Sequence, residues 1–206
     1  TGTQMGRWYR KEIISTADLK GLKMRTAGFA GEVLSRLGVV PQQIAGGDIY
    51  PSLEKGTLDA VEFVGPVDDE KLGFNKVAKY YYYPGWWEGC AQVSLYVNDE
   101  AYNSLPKHYQ ALIDIASRHA GVQMLANYDA NNPAALRRLI ANGAVLKAFP
   151  REVMDASFKA ANTVYAEFSA KSPLFKKVYD SYMGFRDNVV PWFRVAEGSF
   201  DNYMGI

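Results

Sequence analysis

Short apolar runs alternate with short amphipathic segments along the first ninety or so residues. Leu22-Lys23-Met24-Arg25 has the character of a strand, and Gly31 to Leu37 that of a helix stopped by Gly38. Asp48 to Lys55 follows as a second helix, with Asp48 as its cap and Gly56 at its end, and Thr57 to Val64 supplies another strand. The order β-α-β-α-β predicts an α/β fold with a mainly parallel sheet covered by helices. Ligands of such sheets sit beyond the carboxyl ends of the strands. Arg25, which the small-residue turn Thr26-Ala27-Gly28 follows into a helix, and Glu62 fall near two such ends.

Farther along, Val93, Leu95 and Val97 alternate with Gln92, Ser94 and Tyr96, the period of a half-buried strand. Leu105-Pro106 opens a helix in which Tyr109, Leu112, Ile113, Ala116 and Ala120 form a stripe expected to face a core. Asn142-Gly143 is a turn, Ala144 to Ala148 a short strand, and Pro150 the start of a long helix reaching about Ala170. A last helical segment is expected to break at Pro191. The pattern divides the chain into an α/β part, 1–90, and a largely helical part, 91–206. That second part has no sheet of its own to cover, so it is expected to pack on a further α/β lobe supplied upstream of Thr1 or by another chain.

Composition narrows the partners. The 206 residues are 48% hydrophobic and 22% charged, an ordinary globular balance for one domain or two small ones. Lys plus Arg (23) against Asp plus Glu (22) leaves a formal charge of +1, no field to collect nucleic acid or anionic lipid. One cysteine, Cys90, cannot form an internal disulfide, and with His108 and His119 it is too little for a structural zinc cage. The thiol suits the cytosol or an exported bacterial protein equally. No apolar run approaches the roughly 18 to 20 residues of a membrane span. The chain opens Thr1-Gly2-Thr3-Gln4 without an initiator Met or signal peptide, so it is expected to be processed or a fragment.

Aromatic residues gather in Tyr80-Tyr81-Tyr82-Tyr83-Pro84-Gly85-Trp86-Trp87, directly before Glu88. The run is either a hydrophobic wall between layers or the lining of a pocket. Arg25 offers the two parallel donors that a carboxylate accepts, or else forms an ordinary salt bridge. Glu62, between Val61 and Phe63, must be paired, protonated or bound to a cation. Glu62 and Glu88 suit the acid and base of a glycoside hydrolase, or a hard cation to which Gln4 adds an amide oxygen. Against the hydrolase, an arginine nearby is expected to hold a carboxyl pKa down, whereas a general acid needs it raised. No G-x-S-x-G, Walker loop or H-E-x-x-H occurs, and Gly46-Gly47 is a turn before a helix.

The stretch Gly46-Gly47-Asp48-Ile49-Tyr50-Pro51-Ser52-Leu53-Glu54-Lys55-Gly56-Thr57-Leu58-Asp59-Ala60-Val61-Glu62-Phe63-Val64-Gly65-Pro66 resembles the signature of the extracytoplasmic solute-binding proteins of TRAP (tripartite ATP-independent periplasmic) transporters. Asp18 to Arg25 is similar to the strand that ends in that family's carboxylate-binding arginine. Lys76 to Glu88 resembles the branch that binds 2-oxo and 2-hydroxy acids, such as pyruvate and lactate, with a metal ion. The resemblance runs along nearly the whole chain. It implies a type II periplasmic binding protein-like two-lobe fold, of which this chain carries mainly the second lobe and the C-terminal helices. The first lobe and signal peptide of a longer precursor lie outside it, and the strand from Gln92 to Val97 helps complete that lobe.

The resemblance further implies a periplasmic receptor without catalytic residues that delivers a small monocarboxylate to a membrane permease. Arg25 corresponds to the carboxylate-pairing arginine, and Glu62, Phe63 and Trp87 also line the ligand. Gln4, Glu62, Phe63 (through its backbone) and Glu88 surround a sodium or calcium ion. Phe63 stands where the branch usually has Trp, so the indole's packing is lost there. Members of the branch exchange the C-terminal helix between two subunits, which implies a homodimer here through Val189-Val190-Pro191-Trp192-Phe193 and the apolar Val195, Phe200, Tyr203 and Met204.

Overall fold

The structure, a computed structural model, describes residues 2–26 and 28–205. Thr1, with which the chain opens, and Ala27, in the small-residue turn after Arg25, lie outside the described residues. The chain forms two compact units, residues 1–157 and residues 158–206. The first holds a six-stranded sheet built from β1 (Arg7–Tyr9), β2 (Lys23–Arg25), β3 (Val40–Gln42), β4 (Ala60–Val61), β5 (Tyr80–Tyr83) and β6 (Val145–Ala148), ordered β3-β2-β4-β1-β5-β6. β2 runs parallel to β3 and β4, as the β-α-β-α-β pattern predicts, and β5 runs parallel to β6. β1, which hydrophobic periodicity did not bring out, lies antiparallel between β4 and β5.

Strand alternation divides the aromatic residues between two cores, because successive side chains point to opposite faces. Trp8, Val61 and Tyr81 join Ile49, Leu53, Phe74 and Leu139 on one face, where α2 (Gly46–Glu54), α3 (Pro66–Leu72) and the end of α5 (Lys107–Ala141) contribute side chains. Tyr9, Ala60 and Tyr82 join Met24, Leu34, Phe149 and Val153 on the other, with α1 (Gly28–Arg36) and the start of α6 (Arg151–Lys171). Trp8 stacks on Tyr81 at 3.9 Å between centroids, while Tyr82 stacks on Phe149 at 4.9 Å. The tyrosine run is therefore wall: Tyr81 and Tyr82 are buried on opposite faces, and Tyr83 is exposed.

Several boundaries differ from the sequence pattern. The strand expected over Thr57–Val64 contracts to Ala60–Val61, because only Trp8–Tyr9 of β1 pairs with it and the chain turns away at Glu62. Asp48 does not cap α2. Ala45 is the cap position, and Asp48 sits in the first turn, where its charge still favours the positive helix end. Gly38 (φ +88°) and Gly56 (φ +74°) do end their segments, in a left-handed conformation that strains any side chain. Residues 91–98 form no strand, and Val93 and Leu95 are each 65% exposed: alternation alone makes no ladder without a neighbouring edge. The stripe Tyr109, Leu112, Ile113, Ala116 and Ala120 is likewise largely uncovered, whereas Ala135 and Leu139 of the same helix are buried.

In residues 158–206, α7 (Pro173–Val195) passes through Pro191 without interruption, against the expected break. A proline there removes one donor from the ladder, and the break comes instead at Ala196 (ψ −94°), before α8 (Glu197–Tyr203). Ser172 caps α7 by accepting from Phe175 N at 3.2 Å.

Asp69, on α3, is buried beneath the stacked pair, its Oδ2 accepting from Trp8 Nε1 (2.9 Å) and Tyr81 Oη (2.6 Å). Burial pushes its carboxyl up to about 7, against the pull of these two donors. The folded state thus holds a proton that the unfolded chain releases near pH 4, so the contribution of this carboxyl to stability is greatest at low pH and declines as pH rises from about 4 toward 7. The decline is about 1.4 kcal/mol per pH unit at most. Urea unfolding at pH 5 and pH 8 should show the native protein losing about 2 kcal/mol more than Asp69→Asn over this interval. Parallel pH profiles would remove Asp69 as the source.

Candidate functional site

Chain direction brings four segments to one end of the sheet. The parallel β2 and β4 finish there at Arg25 and Val61, and β5 finishes there at Tyr83. β1 runs the other way, so the residues that precede it, including Gln4, stand at this end as well. Arg25, Gln4, Glu62, Phe63, Trp87 and Glu88 all belong to these segments. This is the carboxyl-end position at which sheets of this kind take ligands.

Arg25 Nη1 donates to Glu62 O (2.8 Å) and Glu62 Oε2 (3.0 Å), and Nε donates to Ile44 O (3.4 Å). Nη2 makes none of these bonds and leaves one edge of the guanidinium for an incoming acceptor. The Arg25 side chain is 25% exposed and that of Glu62 15%. The arginine does not hold the Glu62 carboxyl down as the sequence suggested. Burial, the larger effect, pushes it above its usual value against the attraction of Arg7 and Arg25, with Glu88 adding repulsion. Phe63 packs edge-on against Phe74 at 5.8 Å, and the Arg25 guanidinium lies 5.5 Å from its ring centroid.

The Gln4 side chain is buried between Glu88 and Phe63. One terminal atom of its amide lies 3.1 Å from Glu88 Oε2 and 3.2 Å from Phe63 O. As nitrogen, that atom donates to both; as oxygen, it places three acceptors around one point, which is favourable only with a cation among them. A carboxylate, an amide and a main-chain carbonyl form a neutral-to-anionic oxygen set of the kind hard cations take. Among the described residues no three of His, Cys, Asp and Glu gather, so a softer metal finds no comparable cluster. The donors present therefore fit sodium or calcium.

Close backbone packing fixes this geometry. Gly6 N donates to Tyr82 O (2.6 Å), Gly85 N to Gln4 O (3.0 Å) and Gln4 N to Glu88 O (3.4 Å). A Cβ on Gly6 would stand 2.4 Å from Tyr82 O, and one on Gly85 would stand 2.6 Å from Gln4 O and 2.7 Å from Met5 O. Both positions thus require glycine through lack of space.

One residue that the sequence reading did not single out completes the cluster. Arg7, on β1, is 2% exposed, and its Cζ lies 3.7 Å from the Trp87 ring centroid. Its Nη1 is 2.6 Å from Met24 Sδ, while Nε and Nη2 are buried and have no hydrogen-bond partner among the described residues, as is also the case for Trp87 Nε1. Burial pushes the guanidinium pKa down to about 10. Its only sequence signal is a lone charge in the run Met5-Gly6-Arg7-Trp8-Tyr9. Elsewhere, a cleft between α3 and α5 is lined by polar groups already paired: Arg138 with Glu70 in two bonds, and Tyr128 with Asp68.

The profile of bacterial extracellular solute-binding proteins, family 7 (DctP), matches residues 1–172. A monocarboxylate 2-oxoacid-binding periplasmic protein of Nostoc sp. is 48% identical over 203 residues, covering 98% of this chain and 56% of that protein. The crystal structure of a TRAP transporter solute-binding protein from Bordetella bronchiseptica superposes with a TM-score of 0.96 at 59% identity, over 98% of this chain and 60% of that one. It is a mixed-occupancy dimer with copurified calcium and picolinate in one active site and the other apo. A TRAP periplasmic solute-binding protein from Pseudoalteromonas atlantica, with bound sodium and pyruvate, gives 0.93 at 39% identity, over 98% and 61% of the two chains. The chain spans about 56% of the Nostoc protein and about 60% of the two crystallised ones.

Gly85→Ala should separate the turn at 84–88 from Gln4, because its methyl group meets two fixed main-chain oxygens. We expect a loss of about 1 to 3 kcal/mol in chemical unfolding. An unchanged midpoint would show that the turn relaxes freely.

Proposed function

We propose that this chain, which belongs to the bacterial extracellular solute-binding proteins of family 7, is the part of a periplasmic TRAP receptor that captures a small 2-oxo or 2-hydroxy monocarboxylate together with a hard cation. The observation that carries this reading is the oxygen set of Gln4, Phe63 and Glu88 beside the free guanidinium edge of Arg25. Pyruvate with sodium in the Pseudoalteromonas relative, and the 2-oxoacid name of the Nostoc protein, support the ligand class. Calcium in the Bordetella relative and sodium in the Pseudoalteromonas one support the cation class.

Binding follows from the charges present. Arg25 holds the ligand carboxylate at Nη2 while its other bonds fix the guanidinium against Glu62 and Ile44. Gln4, Glu62, Glu88 and the Phe63 carbonyl hold the cation. When bound, such an ion would supply positive charge that offsets the carboxylates of the protein and of the ligand. Trp87 and Phe63 cover the ligand with apolar surface and keep water from the ion pair. Nothing in this arrangement needs a bond to break, and the role is that of a receptor rather than an enzyme. Residues 1–90 carry the site, with β6 and the adjoining ends of α5 and α6 completing their sheet and cores, and the rest of 91–206 contributes to the other lobe. Closure of the lobes presents a surface to a membrane permease.

A homodimer through exchange of the C-terminal helices is part of the same proposal. On α7 and α8, Leu174, Val178, Tyr182, Phe185, Trp192 and Phe200 are each more than 60% exposed, an apolar surface that a second copy would cover. The dimeric Bordetella structure supports a two-copy assembly.

Calorimetry on the full-length protein should give Arg25→Lys a pyruvate affinity about tenfold or more below native, as expected when a charge-assisted two-bond contact becomes one point charge. Glu88→Gln should lose calcium or sodium affinity by at least about tenfold while its thermal midpoint stays close to native, and pyruvate binding should fall with the ion. Collapse of stability with cation binding intact would make Glu88 structural, and an unchanged pyruvate affinity in Arg25→Lys would remove Arg25 from the site.

Light scattering should report a dimer for the full-length protein, and deletion from Asp187 onward should give a monomer or an aggregate. A strictly monomeric native protein with an ordered α7 would overturn the exchange and leave the binding function standing.

A further inference from the structure

We infer that Arg7 is a buried counter-charge of the cation site, a positioning residue that shifts the site's preference from divalent toward monovalent ions. The inference rests on the cation-dependent binding proposed above and concerns which cation that site favours.

Arg7 lacks the features of a packing arginine. Such residues, when buried, normally spend their donors on carboxylates or carbonyls, because an unpaired charge away from water is costly. Here, among the described residues, Nε and Nη2 have no hydrogen-bond partner, Nη1 meets the sulfur of Met24, and the planar group lies against Trp87. Its position is not remote: the guanidinium lies on the ring of Trp87, in the same turn as Glu88. Both Arg7 and Arg25 attract the Glu62 carboxylate through space. The guanidinium therefore acts on this carboxylate through the field, without a hydrogen bond of its own to the two oxygens, of which Oε2 already accepts from Arg25.

The charges can be summed. Glu62 and Glu88 bring two negative charges, Arg25 and Arg7 two positive ones, and the Gln4 amide and Phe63 carbonyl none. The protein set is neutral, and a bound monocarboxylate makes it negative by one. A monovalent cation restores neutrality, whereas a divalent one leaves a net positive charge in a buried site. Were position 7 neutral, the loaded set would be negative by two, which a divalent ion closes. A divalent ion also feels the repulsion of Arg7 twice as strongly as a monovalent one at the same place. Arg7 thus penalises calcium relative to sodium without touching either.

The test compares the native full-length protein with Arg7→Met, which keeps length and apolar contact with Trp87, and Arg7→Lys, which keeps the charge. Calcium chloride and sodium chloride are titrated separately by calorimetry at matched ionic strength, with and without pyruvate, after thermal melts confirm folding. The ratio of calcium to sodium affinity is expected to rise about tenfold or more in Arg7→Met, and to stay within about threefold of native in Arg7→Lys. A packing role alone would weaken both ions together. An unchanged ratio in Arg7→Met, or an equal rise in Arg7→Lys, overturns the inference while native binding of ion and pyruvate leaves the receptor reading intact. Absence of ion binding by the native protein overturns both. If Arg7→Met does not fold, Arg7→Gln carries the same expectation.

Discussion

The antiparallel pairing of β1 with both of its neighbours is the constraint on which the rest depends. Arg7, Trp8 and Tyr9 pair with β5 on one edge, Trp8 and Tyr9 pair with β4 on the other, and the strand so joins the parallel βαβ half of the sheet to the half that holds β6. The same pairing puts Trp8 into one core and Tyr9 into the other. Because β1 runs against its neighbours, the residues before it emerge where β2, β4 and β5 end. Without that reversal Gln4 would stand at the far end of the sheet from Arg25 and Glu62.

Close backbone contact converts this topology into a site. Gly6 and Gly85 leave room for main-chain oxygens that any side chain would strike, and the bonds from Gly85 to Gln4 and from Gln4 to Glu88 fasten the turn to the start of β1. The buried Gln4 amide then lies against Glu88 and the Phe63 carbonyl. A cation site of neutral and charged oxygens needs this preorganisation, since hard ions give up water only to ligands already in place.

Electrostatics in the cluster is a contest between burial and attraction, and burial wins at Glu62 despite two arginines. That outcome differs from what a neighbouring Arg suggests in a sequence, because attraction depends on proximity alone while the desolvation penalty depends on everything packed around the group. Asp69 obeys the same rule in the core, where two good donors do not offset its removal from water.

Local chemistry was legible in the sequence wherever it is decided by a few neighbouring residues. The β-α-β-α-β order, the stops at Gly38 and Gly56, the strand after Gly143 and the long helix after Pro150 all follow from periodicity and turn residues. Arg25 and Glu62 were readable as strand-end residues for the same reason, Glu88 and Gln4 as oxygen donors that could join Glu62, and motif resemblance added Phe63 and Trp87. What depended on partners distant in sequence was not readable. β1 is three residues long and gets its definition from strands roughly fifty and seventy positions away, while the alternating run at 92–97 has no edge to pair with and stays uncovered. Arg7 looks like an ordinary surface charge until β1 is seated in mid-sheet. Its burial over Trp87, and its pull on Glu62, exist only because the tertiary structure surrounds it, since burial is a property of neighbours and not of the residue.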